Sequence, residues 1–567
     1  MENINPKITI KKIKFNDDTE IVFKEDDIII FLGANNVGKS RSLKDIKDDL
    51  LESQKAGIII KKIEYSEKNF DKDKMTKYFE RNFVKDQNSC YSLQLDRNHN
   101  YSFGEYNFDC DYNSGASKMF YKALFTLLST ENRLNLTLPI YLNMVDDRAK
   151  LNMMEKLKDS EEKISRINCY LANNFNKGIE IDDEYVDGSY STLYKIGEVD
   201  EIEDIMQSNR RSAREKLQKL ESLSEQGDGI RSAVAILTSL IVNDHSLFLI
   251  DEPEAFLHPP QARALGNNIA ELSENKQCFL ATHNIDFIRG ILEKKSSRVR
   301  IIKINRNGNE NQIHELINED IQKVANDRNL KYTNILNGLF YSKVVLCEDE
   351  TDCKFYSAIL ENLDEKLYQN TLFCAVGGKD QFKIITPLLE SMKIEYKIIA
   401  DIDLINDSDK LRQLMNSIEK NKYSKIKDIH QNFLSKYEEG HDTLVKKQII
   451  IKQEINDLFT DDEYMTDVTA KRIKDVLKRI NTLKLLKIGG TSTIPQGQCV
   501  NDYKAIKDFL SGCNVYILDC GEIERFVPEV DAHGNEWVEE VFKRYSDIND
   551  PIYGNAKEFI KNVFGID

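Results

Sequence analysis

Positions 8–23 alternate apolar and polar residues around Asn16-Asp17-Asp18, which predicts a β-hairpin. Positions 27–32 are apolar after Asp27 and predict a buried strand, followed by a glycine-bearing turn and a helix from Lys39 onward. Residues 119–128 read as a helix and 138–142 as a strand. Residues 150–173 and 204–223 read as polar helices bracketing one strand-like segment, 178–196. Two apolar strands follow, 247–250 and 277–281, with a helix between them, and that β-α-β alternation predicts a parallel sheet. A second α/β pattern opens at 342–347 and continues with strands at 371–376, 396–400 and 514–518. A Lys-rich helical insertion separates the last two. The expectation is an α/β chain of two domains, 1–335 with a helical arm at about 150–222, and 336–567 with a helical insertion at about 405–489.

Composition narrows the setting. The chain has 567 residues, enough for several hydrophobic cores, and its net charge of −16 argues against a uniformly basic coat while leaving room for a local basic groove. Its ten cysteines form no C-x-x-C pair, so reduced thiols are expected rather than zinc sites or disulfides. Positions 1–6 lack a signal-like apolar core, and no apolar run approaches the ~18 residues of a membrane span. A cytoplasmic protein without membrane contact is the expectation.

Two sets of residues carry chemistry. Gly33-Ala34-Asn35-Asn36-Val37-Gly38-Lys39-Ser40 is a phosphate-binding loop between a strand and a helix. Gly33, Asn36 and Gly38 let main-chain N–H groups close around phosphate, Lys39 supplies positive charge, and Ser40 can hold Mg²⁺. The strand ending in Asp251-Glu252 supplies a second Mg²⁺ contact, Asp251, and a base or water-orienting residue, Glu252. Bound ATP and Mg²⁺ are the implied cofactors. Arg148 either faces phosphate or forms a surface ion pair.

The second set is acidic. A strand delivers Glu348, with Asp352 four residues later. Another ends in Asp401-Ile402-Asp403, and the last is followed by Asp519-Cys520-Gly521-Glu522-Ile523-Glu524. Carboxylates converging from neighbouring strand ends repel without divalent cations, and oxygen-only ligands suit Mg²⁺ or Mn²⁺. Two such ions can support phosphodiester hydrolysis. Lys557 is either the best-spaced lysine to face a scissile phosphate or a plain surface lysine.

Asp251-Glu252-Pro253-Glu254-Ala255-Phe256-Leu257-His258-Pro259 resembles the Walker B and D-loop segment of ABC-class ATPases of the RecF and SMC-like branch. His283 stands where that class has its switch histidine. Ser224 and Gly227 stand where it has the signature loop that completes the ATP site of a second subunit, so the resemblance implies at least a homodimer, with residues 150–222 as a dimerisation insert. Glu348, Asp352, Asp401 and Asp403 resemble the acidic motifs of the Toprim fold, with Asp349 where a glycine is usual. Val376-Gly377-Gly378-Lys379 resembles its glycine turn, and Glu522 and Glu524 its late acidic motif. An ABC ATPase followed by Toprim resembles the OLD (overcoming lysogenization defect) family of nucleases, and is similar to the Gabija nuclease subunit and to retron-associated Toprim ATPases. That resemblance implies an ATP-regulated, metal-dependent DNA endonuclease or nickase in anti-phage defence. It also implies a possible partner, either a helicase-like protein or a retron reverse transcriptase with its DNA. The competing expectations are a RecF-type repair ATPase and an ATP-dependent sensor or scaffold without nuclease activity. The Lys471–Arg479 stretch, with Lys484 and Lys487 beyond it, is either a phosphate-tracking rim or a solvated helix face.

Overall fold

The computed structural model describes residues 5–34, 36–51, 57–68, 70–85, 90–94, 100–104, 121, 123–142, 153–186, 189–307, 310–316, 334–445, 448–459, 465–479 and 482–566. The chain divides into two compact units, Met1–Ala325 and Asn326–Asp567.

The first unit is organised by a six-stranded sheet. From edge to edge its strands are Glu310–Leu316, Val299–Asn307, Ile28–Leu32, Gln277–Ala281, Leu247–Asp251 and Phe125–Leu128. All pairings are parallel except that of Glu310–Leu316 with Val299–Asn307. The central strands are buried on both faces, which is why they read as unbroken apolar runs. One face packs on a three-stranded antiparallel sheet of Glu20–Val22, Lys7–Phe15 and Ile60–Lys68, through a core that includes Phe15, Phe31, Phe279 and Ile302. Gln277, fully buried, ties the two sheets together. Its Oε1 accepts from Ile10 N at 2.7 Å, and its Nε2 donates to Ile10 O and Lys24 O at 2.9 Å each.

Two expectations here need correction. Residues 125–128, read as part of a helix, form the edge strand beside Leu247–Asp251, and pairing with that buried strand overrides their helix-like spacing. The segment read as one strand at 178–196 is a hairpin, Lys177–Val186 paired with Ser189–Glu198. Its flanking helices, Met153–Lys158, Glu161–Phe175, Val199–Gln207 and Arg210–Leu217, join it in an α/β lobe at the place of the expected helical arm. The lobe is fastened to the body by Tyr170 Oη donating to Gln261 O at 3.3 Å and Gln261 Nε2 donating to Asn174 O at 3.1 Å.

The second unit is built on a four-stranded parallel sheet in the order Thr371–Ala375, Lys343–Cys347, Glu395–Ala400, Val515–Ile517. Phe355 sits in a core with Phe526, Trp537 and Tyr553, at ring-centroid separations of 5.9, 5.1 and 6.2 Å. The insertion is helical: Ser408–Ile418, Lys427–Val445, Gln448–Asn456, Asp467–Arg479 and Thr482–Gly489. Its base is well anchored. His430 is buried, with Nε2 at 2.7 Å from Ile405 O and Nδ1 at 2.9 Å from Tyr423 Oη, and Tyr437 Oη lies 2.8 Å from Thr493 Oγ1. Eight cysteines, from Cys169 to Cys520, are free, and among the described residues no helix is long and apolar enough to cross a membrane.

Candidate functional sites

In the first unit the strand Ile28–Leu32 runs into the phosphate-binding loop and the helix Lys39–Leu51. Gly33 has φ +153°, and a Cβ there would lie 2.3 Å from Ile304 O, so only glycine lets this loop pass the neighbouring strand. Asn36 takes φ +64° and Gly38 φ +113°. Asn311 Nδ2 braces the loop from outside by donating to Val37 O at 2.7 Å. Lys39 Nζ donates to Gly33 O and Ala34 O at 2.9 Å each, and burial lowers its pKa against the pull of Glu252, Asp251 and Glu254.

Ser40 Oγ donates to Asp251 Oδ1 at 2.7 Å. A hydroxyl and a carboxylate so joined are the two side-chain oxygens an ATP-bound Mg²⁺ needs on this face, and the residues therefore fit that ion. Burial raises the pKa of Asp251. Glu252 and His283 line the same cavity, of about 820 Å³, with Asn36, Gly38, Lys39 and Ser40. His283 Nδ1 is 3.6 Å from Glu252 Oε1. Behind them Glu254 is buried and accepts from Thr282 Oγ1 at 2.6 Å, which orders the turn that carries His283.

Ser224 and Gly227 are not among the residues lining this cavity. Ser224 Oγ lies 2.7 Å from Ser222 Oγ in a short 3₁₀ turn, and Gly227 caps the helix Asp228–Val242 with open space where a side chain would be. Arg148 lies outside the described residues. Sequence reading missed Asn311, Arg306 and Arg133. The first two line the cavity, and Arg133, fully buried, donates to the main-chain oxygens of Asp251 and Glu252.

In the second unit the parallel sheet brings its acids to one edge. Glu348 follows the strand Lys343–Cys347 and Asp401 follows Glu395–Ala400, its neighbour. One carboxylate oxygen from each of Glu348, Asp401 and Asp403 lies within 4.8 Å of the others. Glu348 is held by Asp401 N, which donates to its Oε1 at 3.1 Å, while its own carbonyl accepts from Gly377 N and Gly378 N at 3.0 Å each. Those glycines have φ +80° and +109°, so the turn predicted at 376–379 is what seats Glu348.

Asp352 is placed differently from the expectation of direct convergence with Glu348. Its Oδ2 accepts from Glu348 N at 3.1 Å and Asp349 N at 3.2 Å, closing a reciprocal cap on the helix Glu350–Leu363. Asp349, where the Toprim pattern has glycine, has φ −140° and caps that helix through Thr351 N at 2.7 Å, so no left-handed residue is required there. Asp352 nevertheless feels the cluster: burial, Asp349 and Asp401 push its carboxyl up to about 8. Glu348 and Asp401 are also raised, both chiefly by burial. Crowded, half-dry carboxylates of this kind fit a divalent cation, which would hold them ionised.

Lys557 is the clearest departure. It sits half-buried on the helix Gly554–Phe564 and, among the described residues, contacts none of these acids. Two other lysines take that place. Lys379, from the glycine turn, pairs with Asp403 and lies 3.4 Å from Glu348 Oε1. Lys487, from the last helix of the insertion, lies 3.1 Å from Asp401 Oδ2 and 3.8 Å from Asp403 Oδ2. Burial lowers the pKa of Lys379. At Lys487 burial acts downward too, but Asp401, Glu522 and Glu348 outweigh it and the ammonium is held above its usual value. Close packing fixes Lys487 there: a Cβ on Gly521 would lie 2.2 Å from Lys487 O, and one on Gly490 2.2 Å from Asp519 O.

Glu522 and Glu524 bring carboxylate oxygens to a second cluster, and His533, which sequence reading missed, brings a ring nitrogen. Glu524 Oε1 accepts from Gly534 N at 3.1 Å, and burial raises the pKa of Glu522. Asp519 turns away to Tyr503 Oη at 2.6 Å and Lys507. On the insertion, Lys471, Arg472 and Lys474 are exposed. Val476 is buried, whereas its neighbour Leu477 is 48% exposed.

Two family models match the chain. One, described as "AAA domain, putative AbiEii toxin, Type IV TA system", covers residues 146–289; the other, described as "Overcoming lysogenization defect protein-like, TOPRIM domain", covers residues 339–403. The first match includes Ser224, Gly227, Asp251, Glu252 and His283, and the second includes Glu348, Asp352, Asp401 and Asp403. The chain is 23% identical over 171 residues to the Old nuclease of Escherichia phage P2, a stretch that spans 29% of this chain and only 28% of that protein. It is 35% identical over 89 residues to the uncharacterized protein MJECL11 of Methanocaldococcus jannaschii, covering 14% of this chain and 76% of that one. Among solved structures, the Smc head domain of Pyrococcus furiosus bound to the C-terminal domain of ScpA aligns at a TM-score of 0.32 with 12% identity, over 56% of this chain and 98% of that one. A score so low decides nothing.

Proposed function

We propose, from the premise that this chain is an ATPase–Toprim fusion of the overcoming-lysogenization-defect family, that it is an ATP-regulated, divalent-metal-dependent DNA endonuclease or nickase. The observation that carries the reading is the convergence of Glu348, Asp401 and Asp403 at adjacent strand ends, with carboxyls that burial makes reluctant to ionise without a cation. Glu348, Asp401 and Asp403, with Glu522 and Glu524 beside them, would hold Mg²⁺ or Mn²⁺. A bound cation there supplies an activated water and charge stabilisation at a phosphodiester.

The protein's own residues do the rest. Lys379 and Lys487 balance the acids while no cation is present, and each can turn its ammonium to a phosphate oxygen once the acids are engaged. Exposed Lys471, Arg472 and Lys474 offer the DNA backbone contacts without sequence preference. In the ATPase unit, Lys39 and the loop N–H groups bind the phosphates, Ser40 and Asp251 hold Mg²⁺, and Glu252 and His283 face the γ-phosphate. The open helix start at Gly227 supports completion of this site by a second copy of the chain, and hence a homodimer. A defence role against phage follows from the family and belongs to the same proposal.

Conversion of supercoiled plasmid to nicked or linear forms tests the reading. Cutting should require Mg²⁺ or Mn²⁺, vanish with Glu348→Gln, and change with ATP in wild type but not in Lys39→Ala. Cutting that survives Glu348→Gln refutes the site.

A further inference from the structure

Arg133 is a fully buried cation on the short helix Thr130–Asn135. Among the described residues its guanidinium makes no ion pair. It donates instead to main-chain oxygens: Nη1 to Asp251 O and, at 3.4 Å, to Leu128 O, and Nη2 to Glu252 O at 3.0 Å. Burial lowers its pKa to about 10, so it stays protonated at neutral pH. The side chain thus holds the two carbonyls of the acidic pair at the end of the strand Leu247–Asp251.

The second of those residues needs holding. Glu252 has φ +45°, a left-handed conformation that a non-glycine residue keeps only where its surroundings impose it. Its N–H donates to Ala281 O at 2.8 Å, and its carbonyl accepts from Ala255 N at 3.0 Å as well as from Arg133. With the main chain pinned on both sides, the carboxylate lines the cavity that contains Lys39, Ser40 and His283.

The same end of the helix Thr130–Asn135, directly after Arg133, is gripped from a second side. Arg231, in the first turn of the helix Asp228–Val242, donates from Nη2 to Leu134 O at 3.1 Å and from Nε to Thr137 Oγ1 at 3.1 Å. That helix is capped by Gly227, which follows the turn Leu223–Glu225 after one residue, Gln226. An unbroken set of contacts therefore runs from the loop at 223–227 through Arg231, the short helix and Arg133 to Glu252.

We propose that Arg133 is a positioning residue for ATP hydrolysis. It fixes the left-handed main chain of Glu252, and Arg231 transmits to it the position of the loop at 223–227. When a second copy's ATP seats against that loop, the same contacts report it to the Glu252 of the loop's own chain. This inference rests on the ATPase reading above.

The test is steady-state ATP hydrolysis by the full chain, beside titration with a fluorescent ATP analogue and a thermal melt. Arg133→Gln should bind nucleotide within about twofold of wild type, while kcat falls about tenfold or more, a part of the ~10²–10⁴ a placed base contributes. Arg133→Lys, which keeps a charged donor, should recover part of that loss. Arg231→Gln, at a less buried position, should also lower kcat, and the double variant should be no slower than Arg133→Gln alone. Wild-type kcat in a folded Arg133→Gln chain overturns the proposal, as does equal loss of binding and turnover, or losses that multiply in the double variant. Absence of hydrolysis in wild type itself refutes the ATPase reading, and with it the premise.

Discussion

Replacing Asp352 by asparagine should remove a pH dependence from the stability of the metal-free protein. The asparagine oxygen can still accept from Glu348 N and Asp349 N, so the helix cap survives. The titration does not. In the folded chain the carboxyl is pushed up from the usual aspartate range to about 8, chiefly by burial and then by Asp349 and Asp401. Its folded pKa lies above the unfolded one, so the stability linked to its proton is complete below the unfolded pKa and is lost as pH rises toward the folded value. Between those limits the folded state holds one more proton than the unfolded state, and stability falls by about 1.4 kcal/mol per pH unit. From pH 5.5 to 7.5 that is about 3 kcal/mol, or about 5–10 °C in melting temperature for a unit of this size. Glu348, Asp401 and Glu522 are raised as well, so the wild-type slope should be steeper than this. The assay is thermal melting of wild type and Asp352→Asn in EDTA across that range. The variant should gain on wild type steadily as pH rises, and added Mn²⁺ should stabilise wild type more at pH 7.5 than at 5.5. Melting curves that stay parallel across the range would refute the placement of this carboxyl.

Three further outcomes follow from the second unit. Phe355→Ala empties the centre of the ring cluster with Phe526, Trp537 and Tyr553, and should cost about 3–5 kcal/mol in denaturant unfolding followed by the fluorescence of Trp537, the chain's one tryptophan. Gly521→Ala puts a Cβ 2.2 Å from Lys487 O at φ +109° and should destabilise by about 1–3 kcal/mol, with altered Mn²⁺ affinity because Lys487 shifts. Lys487→Met removes a cation that lies 3.1 Å from Asp401, so Mn²⁺ should bind several-fold (about 1 kcal/mol) more tightly by calorimetric titration, while metal-free protein loses stability.

Much of this architecture was legible because it is local. A phosphate loop needs glycines at fixed offsets between strand and helix, and a parallel sheet delivers acids at strand ends, so Lys39, Ser40, Asp251, Glu348 and Asp401 could be named from spacing. What escaped depends on packing between distant segments. No motif sets Arg133 apart, and only pairing of 125–128 with the strand Leu247–Asp251 shows where it points. Residues 178–196 read as one strand-like segment by their apolar content, although Asp187-Gly188, which lie outside the described residues, are a turn signal within them. Lys557 was chosen by spacing in the chain, whereas Lys487 reaches the acids because Gly490 and Gly521 let the foot of an 80-odd-residue insertion dock beside the last strand. No spacing rule could find that contact.

The most direct test of the central claim is the rate of cleavage of a labelled duplex as Mn²⁺ is titrated, with wild type and Asp401→Asn at equal protein and fixed ATP. Cleavage should rise from zero with Mn²⁺ occupancy in wild type and be lost in Asp401→Asn while its ATP binding is unchanged. Cleavage that proceeds in EDTA, or equally in Asp401→Asn, would contradict the account.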